Sequence, residues 1–333
     1  MKVNIIAEAG VNHNGSIFKA KKLALEAKKI GADYVKFQIF NPDEIALDSL
    51  EKTAYQKKNT NNKLDNQYDM LKQLSLSHED FNKLIRYCKK IDIKFLASVF
   101  DVSSLNYLKN KSKIIKIGSS EISNFFLLQE VAKLNKELII STGMCDFITI
   151  KKAIKLLYKN GQDKKKITLL HCNSAYPTPL SDVNILTMNR LSETFKVSVG
   201  YSDHALGKDA VYAAVALGAK IIEKHLTLNK NLNGPDHKIS LNPVEFKEMV
   251  DGIRNITKTL NLKKGKLTKS EKENESLIKK FLVAKNYIKK GEKFTLDNLT
   301  AKRTGGGIES MKIKSILKKK AKINFVKNEI IKI

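Results

Sequence analysis

The first 260 or so residues repeat one pattern, a length that suits a single barrel. A short run rich in β-branched residues is followed by a stretch with apolar side chains at helical spacing. Strand-like runs fall at 3–7, 34–37, 93–97, 114–117, 138–141, 167–170, 197–200 and 220–223. In the first intervening stretch, 16–30, Ile17, Ala20, Leu23, Ala24, Ala27 and Ile30 share one face, and Gly31 follows as a helix stop. Ser77 and Asp80 have the spacing of an N-terminal cap, ahead of a face made of Phe81, Leu84, Ile85 and Cys88. Asn242 and Pro243 open a helix whose apolar face is Phe246, Met249, Val250, Ile253, Ile256 and Leu260. Eight strand–helix units predict an α/β fold, the (β/α)8 TIM barrel. The rival, an open doubly wound sheet, uses a glycine-rich first turn. Here that turn reads AGVNHNG, which is not GxGxxG.

The pattern stops after residue 262. Residues 263–280 are polar, charged and free of aromatics, and read as a linker. Residues 281–333 change character again, with β-like pieces at 281–284 and 323–326 and the turns KKGE and GGG. A module this small buries little core of its own and is expected to dock on another surface. The expected organisation is a barrel over 1–262, a linker over 263–280 and a small C-terminal domain over 281–333.

Charge adds one complication. The chain has 61 basic and 34 acidic residues in 333, a net charge of +27. Nucleic acid would be the obvious partner, but the only arginines are Arg86, Arg190, Arg254 and Arg303, and the lysines are dispersed. Base and phosphate readers favour the planar guanidinium fork. The expectation is no nucleic-acid partner, and a solvated basic surface that concentrates small anions. Three cysteines, Cys88, Cys145 and Cys172, form no CxxC pair and suggest a reducing compartment. No apolar run approaches the ~20 residues of a membrane span. Glu8 breaks the run where a signal peptide would continue. A cytoplasmic location with no membrane partner is expected.

In a barrel of this kind, chemistry gathers where the strands end. Strand one ends in Glu8, strand two carries Lys36 and Gln38, and strand three ends in Ser98. Strand four carries Lys116 and leads into Ser119, Ser120 and Glu121; strand five ends in Ser141. Strand six ends in His171, followed by Asn173, Ser174 and Tyr176. Strands seven and eight end in Ser202-Asp203-His204 and Glu223-Lys224-His225. Loops are polar in any protein, and any one serine can be a turn or cap residue. Glu8, Lys36 and Lys116 are different, because a charge among apolar strand residues must be paired or hold a ligand. Two lysines with the hydroxyls of Ser119, Ser141 and Ser202 suit a phosphate. His204 and His225 end neighbouring strands, close enough to share a divalent metal, Mn2+, Mg2+, Co2+ or Zn2+, or simply to be hydrogen-bonded. His13, His78, His171 and His237 are weaker candidates. Glu8, Glu121 and Asp236 are candidate acid–base carboxylates, or salt-bridge partners of the lysines.

The motifs AEAGVNHNG, VKFQ, KIGSSE, STGM, LLHCNSAYPTP, VGYSDH, EKHLTLNKNLNGPDHKISL and KRTGGGI resemble, in order, those of the sialic acid synthase family. That family makes N-acetylneuraminic acid and the related legionaminic and pseudaminic acids. The resemblance implies a barrel followed by an antifreeze-like (SAF) domain. It also implies homodimers in which the small domain covers the partner's barrel mouth. The implied reaction joins phosphoenolpyruvate to the aldehyde of an open-chain N-acetylated amino sugar. The implied cofactor is a divalent metal, Mn2+ first with Mg2+ or Co2+ as alternatives, on His204 and His225. Lys116, Ser119, Ser141, Ser174 and Ser202 would hold phosphoenolpyruvate, with Lys36 nearby and Gln38 and Asn173 alongside. Glu8 and Glu121 would position or deprotonate water. Tyr176 and Asp236 would contact the sugar, and Arg303 of the other chain would hold its N-acetyl group. Ser174 stands where many members carry Asn or Thr, Ser120 replaces a glycine, and Thr304 replaces a proline. The alternatives are a pseudaminic acid synthase, another phosphoenolpyruvate–aldose condensing barrel, and a lysine-rich polyanion-binding protein without activity.

Overall fold

Eight parallel strands close on themselves in chain order. In a computed structural model, residues 2–60, 66–260 and 265–333 are described. β1 (Asn4–Gly10) leads to α1 (Ile17–Lys29), and β2 (Tyr34–Ile39) to three short helices, α2 (Pro42–Ile45), α3 (Ala54–Asn59) and α4 (Gln67–Leu74), before α5 (His78–Lys90). Then follow β3 (Lys94–Val99), α6 (Val102–Leu108), β4 (Ile114–Ile117), α7 (Phe125–Lys133), β5 (Glu137–Ser141) and α8 (Phe147–Lys159). The barrel closes with β6 (Ile167–Cys172), α9 (Thr187–Phe195), β7 (Ser198–Asp203), α10 (Asp209–Ala216), β8 (Ile221–His225) and α11 (Pro243–Thr259).

The helix signals act as expected. The Ser16 side chain accepts from Lys19 N at the start of α1, and Gly31 leaves the helix at φ +83°. Ser77 caps α5. Asn242 and Glu245 make a reciprocal capping box on α11, with Phe246, Met249, Val250 and Ile253 buried.

The barrel interior follows from period-two alternation along each strand. Ile6, Leu96, Ile139, Leu170 and Ile221 point inward and form a separate apolar cluster, with Tyr34 and Ile114 packed against it. This plug seals the middle of the barrel. Gly200 belongs to the same level: a Cβ there would meet the Ile221 carbonyl at 2.3 Å and Leu170 Cδ2 at 2.8 Å. Two residues further along these strands stand Glu8, Lys36, Ser98, Lys116, Ser141, Cys172, Ser202 and Glu223. The plug is therefore roofed by a polar layer. Most strands run longer than their apolar runs, because this layer continues the backbone ladder after hydrophobicity has ended.

The chain divides into two compact units, Met1–Asn261 and Leu262–Ile333. The expected boundary after residue 262 lies outside the described residues. The stretch read as a linker contains a helix, α12 (Lys269–Ile278), opened by a capping box of Thr268 and Glu271 and with no buried side chain. In the small unit β9 (Lys280–Ala284) pairs antiparallel with β10 (Leu299–Arg303). The piece at 323–326 forms no strand; Phe325 makes a single bridge to Ile288. This unit has a core of its own, in which Leu282, Ile288, Phe294, Leu299, Ile316, Phe325 and Ile331 are buried.

Candidate active site

The polar layer opens upward into a cavity of about 420 Å³ at the C-terminal end of the barrel. Glu8, Lys36, Gln38, Lys116, Ser119, Glu121, Ser141, Ser174, Tyr176, Ser202, His204, His225 and Asp236 all line it. Strand register explains why residues so far apart in sequence meet. Glu8 stands opposite Lys36 on β2 and opposite His225 on β8, and Ser202 stands opposite Glu223.

The two lysines are in unlike settings. Lys36 Nζ lies 3.1 Å from Glu8 Oε2 and 3.4 Å from Glu223 Oε1, and donates to Ser98 Oγ at 2.9 Å. Burial opposes its charge, but Glu223 and Glu8 outweigh burial and raise its pKa. Lys116 Nζ donates to Ser141 Oγ at 2.6 Å and to the Ile117 carbonyl at 3.1 Å, both neutral. Burial pulls its pKa down to about 8. Lys36 is thus neutralised within the layer, whereas Lys116 has an ammonium with no carboxylate in direct contact. Burial raises the pKa of Glu8, with Lys36 pulling the other way. Burial also acts to raise Glu223, but Lys116 and Lys36 overcome it and lower the pKa.

Hydroxyls gather beside Lys116. Gly143 N donates to Ser119 Oγ at 3.0 Å. A Cβ at Gly143 would sit 2.3 Å from Ser174 Oγ and 2.9 Å from Ser119 Oγ, so only glycine lets the two hydroxyls approach. Ammonium plus converging hydroxyls is an anion cradle.

The imidazoles of His204 and His225 lie with ring centroids 5.3 Å apart. His204 Nδ1 donates to the Asn173 carbonyl at 2.6 Å, which leaves Nε2 as the ring's other nitrogen. Burial opposes a charge on His204, but the Cys172 sulfur at 3.6 Å and the Asn173 carbonyl lift its pKa to about 9. Burial and the neighbouring His204 hold His225 well below the usual imidazole range. Its Nδ1 is buried without a hydrogen-bond partner and faces Asp236 Oδ2 at 3.8 Å. Burial, helped by Glu8, pushes Asp236 up to about 7. Tyr176 stacks on His204 at 4.2 Å, and Tyr55 stacks on Tyr176 at 5.0 Å.

A model of the NeuB family matches residues 23–265, and a model of the SAF domain matches residues 279–333. The chain belongs to the NeuB family. It is 46% identical to the N,N'-diacetyllegionaminic acid synthase of Campylobacter jejuni, over 99% of both chains. It is 33% identical to the pseudaminic acid synthase of Helicobacter pylori, over 95% of this chain and 93% of that one. Among solved structures, the N-acetylneuraminic acid synthetase of Leptospira borgpetersenii matches with a TM-score of 0.71 and 33% identity, covering 83% of this chain and 90% of that one. This NeuB-family chain is an enzyme of the sialic, legionaminic and pseudaminic acid synthase family.

One of the expected site residues turns away from the cavity. The Asn173 side chain of the NeuB-family enzyme does not line the cavity; its amide donates to the Asp182 carbonyl and its oxygen accepts from Ala175 N. Its backbone carbonyl, not its side chain, orients His204. Arg303 is exposed at the end of β10, in the small unit. Glu121 is half-buried and accepts from Asn124 Nδ2 at 2.8 Å.

The donor set for a metal ion is small. Among the described residues, no group of three His, Cys, Asp or Glu side chains is placed to cage an ion unaided. Two imidazoles, one of them with an orphaned buried nitrogen, suit a divalent ion that completes its shell with water and substrate oxygens. Among the described residues no helix is long and apolar enough to cross a membrane.

Sequence reasoning left Glu223 and Tyr55 unassigned. Glu223 carried a signal, being a charge inside an apolar strand like Lys36. Tyr55 carried none, because it sits in a polar stretch and reaches the cavity only through the tertiary fold.

Proposed function

We propose that this enzyme joins phosphoenolpyruvate to the aldehyde of an open-chain 2,4-diacetamido-2,4,6-trideoxy-mannose, giving N,N'-diacetyllegionaminate and phosphate. The observation that carries the reading is Lys116, a buried ammonium with no carboxylate in direct contact, beside the Ser141 hydroxyl and in the same cavity as Ser119, Ser174, the paired imidazoles and a raised carboxyl group. The choice of sugar is supported by the higher identity to the legionaminic acid synthase than to the pseudaminic one. N-acetylmannosamine, giving N-acetylneuraminate, is the second candidate, supported by the Leptospira relative.

Lys116 and the serines hold the anionic enol so that its C3 faces the aldehyde, turning a bimolecular encounter into a local one. A bond forms between C3 and the aldehyde carbon, and the aldehyde oxygen takes up a proton. Water adds at C2 and gives up one proton, the C2–O bond to the phosphoryl group breaks as the new C2 hydroxyl becomes the ketone, and phosphate leaves with the electron pair and that hydroxyl's proton. Asp236, titrating near 7, and Glu8 are placed to supply the first proton and accept the one from water. Lys36 keeps Glu8 and Glu223 oriented. A divalent ion, Mn2+ or else Mg2+ or Co2+, would be held by His204 and His225 and supply Lewis-acid polarisation of the aldehyde.

The enzyme would work as a homodimer, with Arg303 of one chain reaching the partner's cavity to hold an N-acetyl group. Exposed apolar side chains on loops and helix starts that follow the strands, Phe126, Met144, Leu180 and Leu206, support a covered mouth.

Phosphate release from phosphoenolpyruvate is the test, run with each sugar and Mn2+. Release should require the sugar and fall to background in His225→Ala or after chelation. No release with either sugar would end the synthase reading; full turnover in chelated protein would end the metal assignment.

A further inference from the structure

The cavity has two chemically unlike sides. Its floor is the polar layer. Its outer wall comes largely from the connection between β2 and α5, which spans residues 40–77 and carries α2, α3 and α4; Thr53, Gln56 and Gln67 make part of that wall polar, and the rest is an apolar patch. Ile45, Met70, Leu71 and Leu74 from that connection line the cavity, together with Val11 and Tyr55. Val11, Phe40, Met70 and Leu74 are buried in a cluster separate from the main core, with Ile45 and Leu71 packed against it. The loop from β1 to α1 is short, so the longer segment passes over it and meets the loop after β8, the neighbour of β1 on its other side.

That meeting is fixed by hydrogen bonds. Asn59, the last residue of α3, donates from Nδ2 to the Pro235 carbonyl at 2.9 Å, and its own carbonyl accepts from Gly234 N at 3.3 Å. Asn14 Nδ2 holds the Asn233 carbonyl at 2.7 Å. Pro235 is followed by Asp236, whose carbonyl accepts from Ser240 Oγ at 2.6 Å, and Ser240 Oγ accepts in turn from Asn12 Nδ2. The apolar wall is therefore tied to the carboxyl group placed to meet the sugar.

Where the wall is apolar, at Ile45, Met70, Leu71 and Leu74, it rewards methyl groups and leaves a hydroxyl without a partner. We infer that Ile45 and Leu71 on this wall are specificity-determining residues that select an amino sugar with a methyl group at C6 and N-acetyl methyls over one rich in hydroxyls. This rests on the proposed reaction and gives a reason for its choice of sugar. Burying one methylene-sized group in such a pocket discriminates by roughly 10- to 200-fold.

The test compares kcat/KM for the 2,4-diacetamido-2,4,6-trideoxy sugar and for N-acetylmannosamine in the full-length enzyme, Ile45→Ser and Leu71→Asn. Both positions are half-buried and lie on different helices or their ends, so loss of folding in one variant leaves the other to decide. The wild-type enzyme should prefer the trideoxy sugar by at least about tenfold, and each variant should narrow that preference about tenfold through the sugar KM. The KM for phosphoenolpyruvate should hold. An unchanged preference, or a parallel rise in both KM values, would overturn the inference. If the wild-type enzyme releases no phosphate with either sugar, the reaction is at fault. Saturation-transfer NMR on the trideoxy sugar then judges the wall by itself: a strong C6-methyl signal that Leu71→Asn removes upholds it, and an equal or absent signal in both proteins refutes it.

Discussion

A buried ammonium needs a counter-charge or a ligand. Lys36 has the first in Glu8 and Glu223; Lys116 has only neutral partners at hydrogen-bond distance. Its depressed pKa gives a pH signature. With the cradle empty, Lys116 loses its proton as pH rises through about 8. A bound anion favours the charged form, so linkage makes affinity fall with deprotonation. The KM for phosphoenolpyruvate should climb about tenfold per unit above that pH. Lys116→Met should raise KM and flatten the profile; an unaltered profile in the variant would remove Lys116 from the cradle. This residue was legible in the sequence because a charge interrupts an apolar run. Glu8 and Lys36 stood out for the same reason. Met70, Leu71 and Tyr55 did not, since nothing local separates a cavity-lining side chain from an ordinary loop anchor.

At the level of elements, β7 and β8 are locked together outside the cavity. Lys224 Nζ lies 2.5 Å from Asp203 Oδ2, and both side chains are buried. Asp203 Oδ1 also accepts from Tyr201 OH and Ala205 N, each at 2.9 Å, while Lys224 donates to the Ala205 carbonyl. These two residues immediately precede His204 and His225, so the pair holds the two strand ends that carry the imidazoles. Asp203→Asn should cost about 3–5 kcal/mol, because it leaves the lysine buried without its counter-charge. Urea denaturation reads this directly, and a loss below about 1 kcal/mol would place the pair among weak surface bridges. Element positions were legible from periodicity, but several strand ends were not. β1, β2, β3, β6, β7 and β8 all continue past their apolar runs. Hydrophobicity marks what is packed, whereas the ladder persists wherever backbone partners remain.

On the scale of the molecule, the proposed dimer makes the active site composite. Arg303→Ala and His225→Ala should each be inactive alone. Mixed and allowed to exchange subunits, they should recover part of the wild-type rate, because one pairing reunites an intact arginine with an intact histidine pair. A mixture as inactive as its components would place Arg303 outside the partner's cavity. The two-unit plan was legible from the change in composition near residue 262. The helix at Lys269–Ile278 was not, because its stability comes from a cap and local propensity with no buried face to announce it. The ring of Ile6, Leu96, Ile139, Leu170 and Ile221 has one last effect. Among the described residues it closes the chamber from below, so a guest reaches the polar layer from the strand-end side. In the proposed reaction, the guest seated deepest, against Lys116 and Ser141, would then arrive before the sugar, and whatever remains there would depart after the sugar product has moved out of its way.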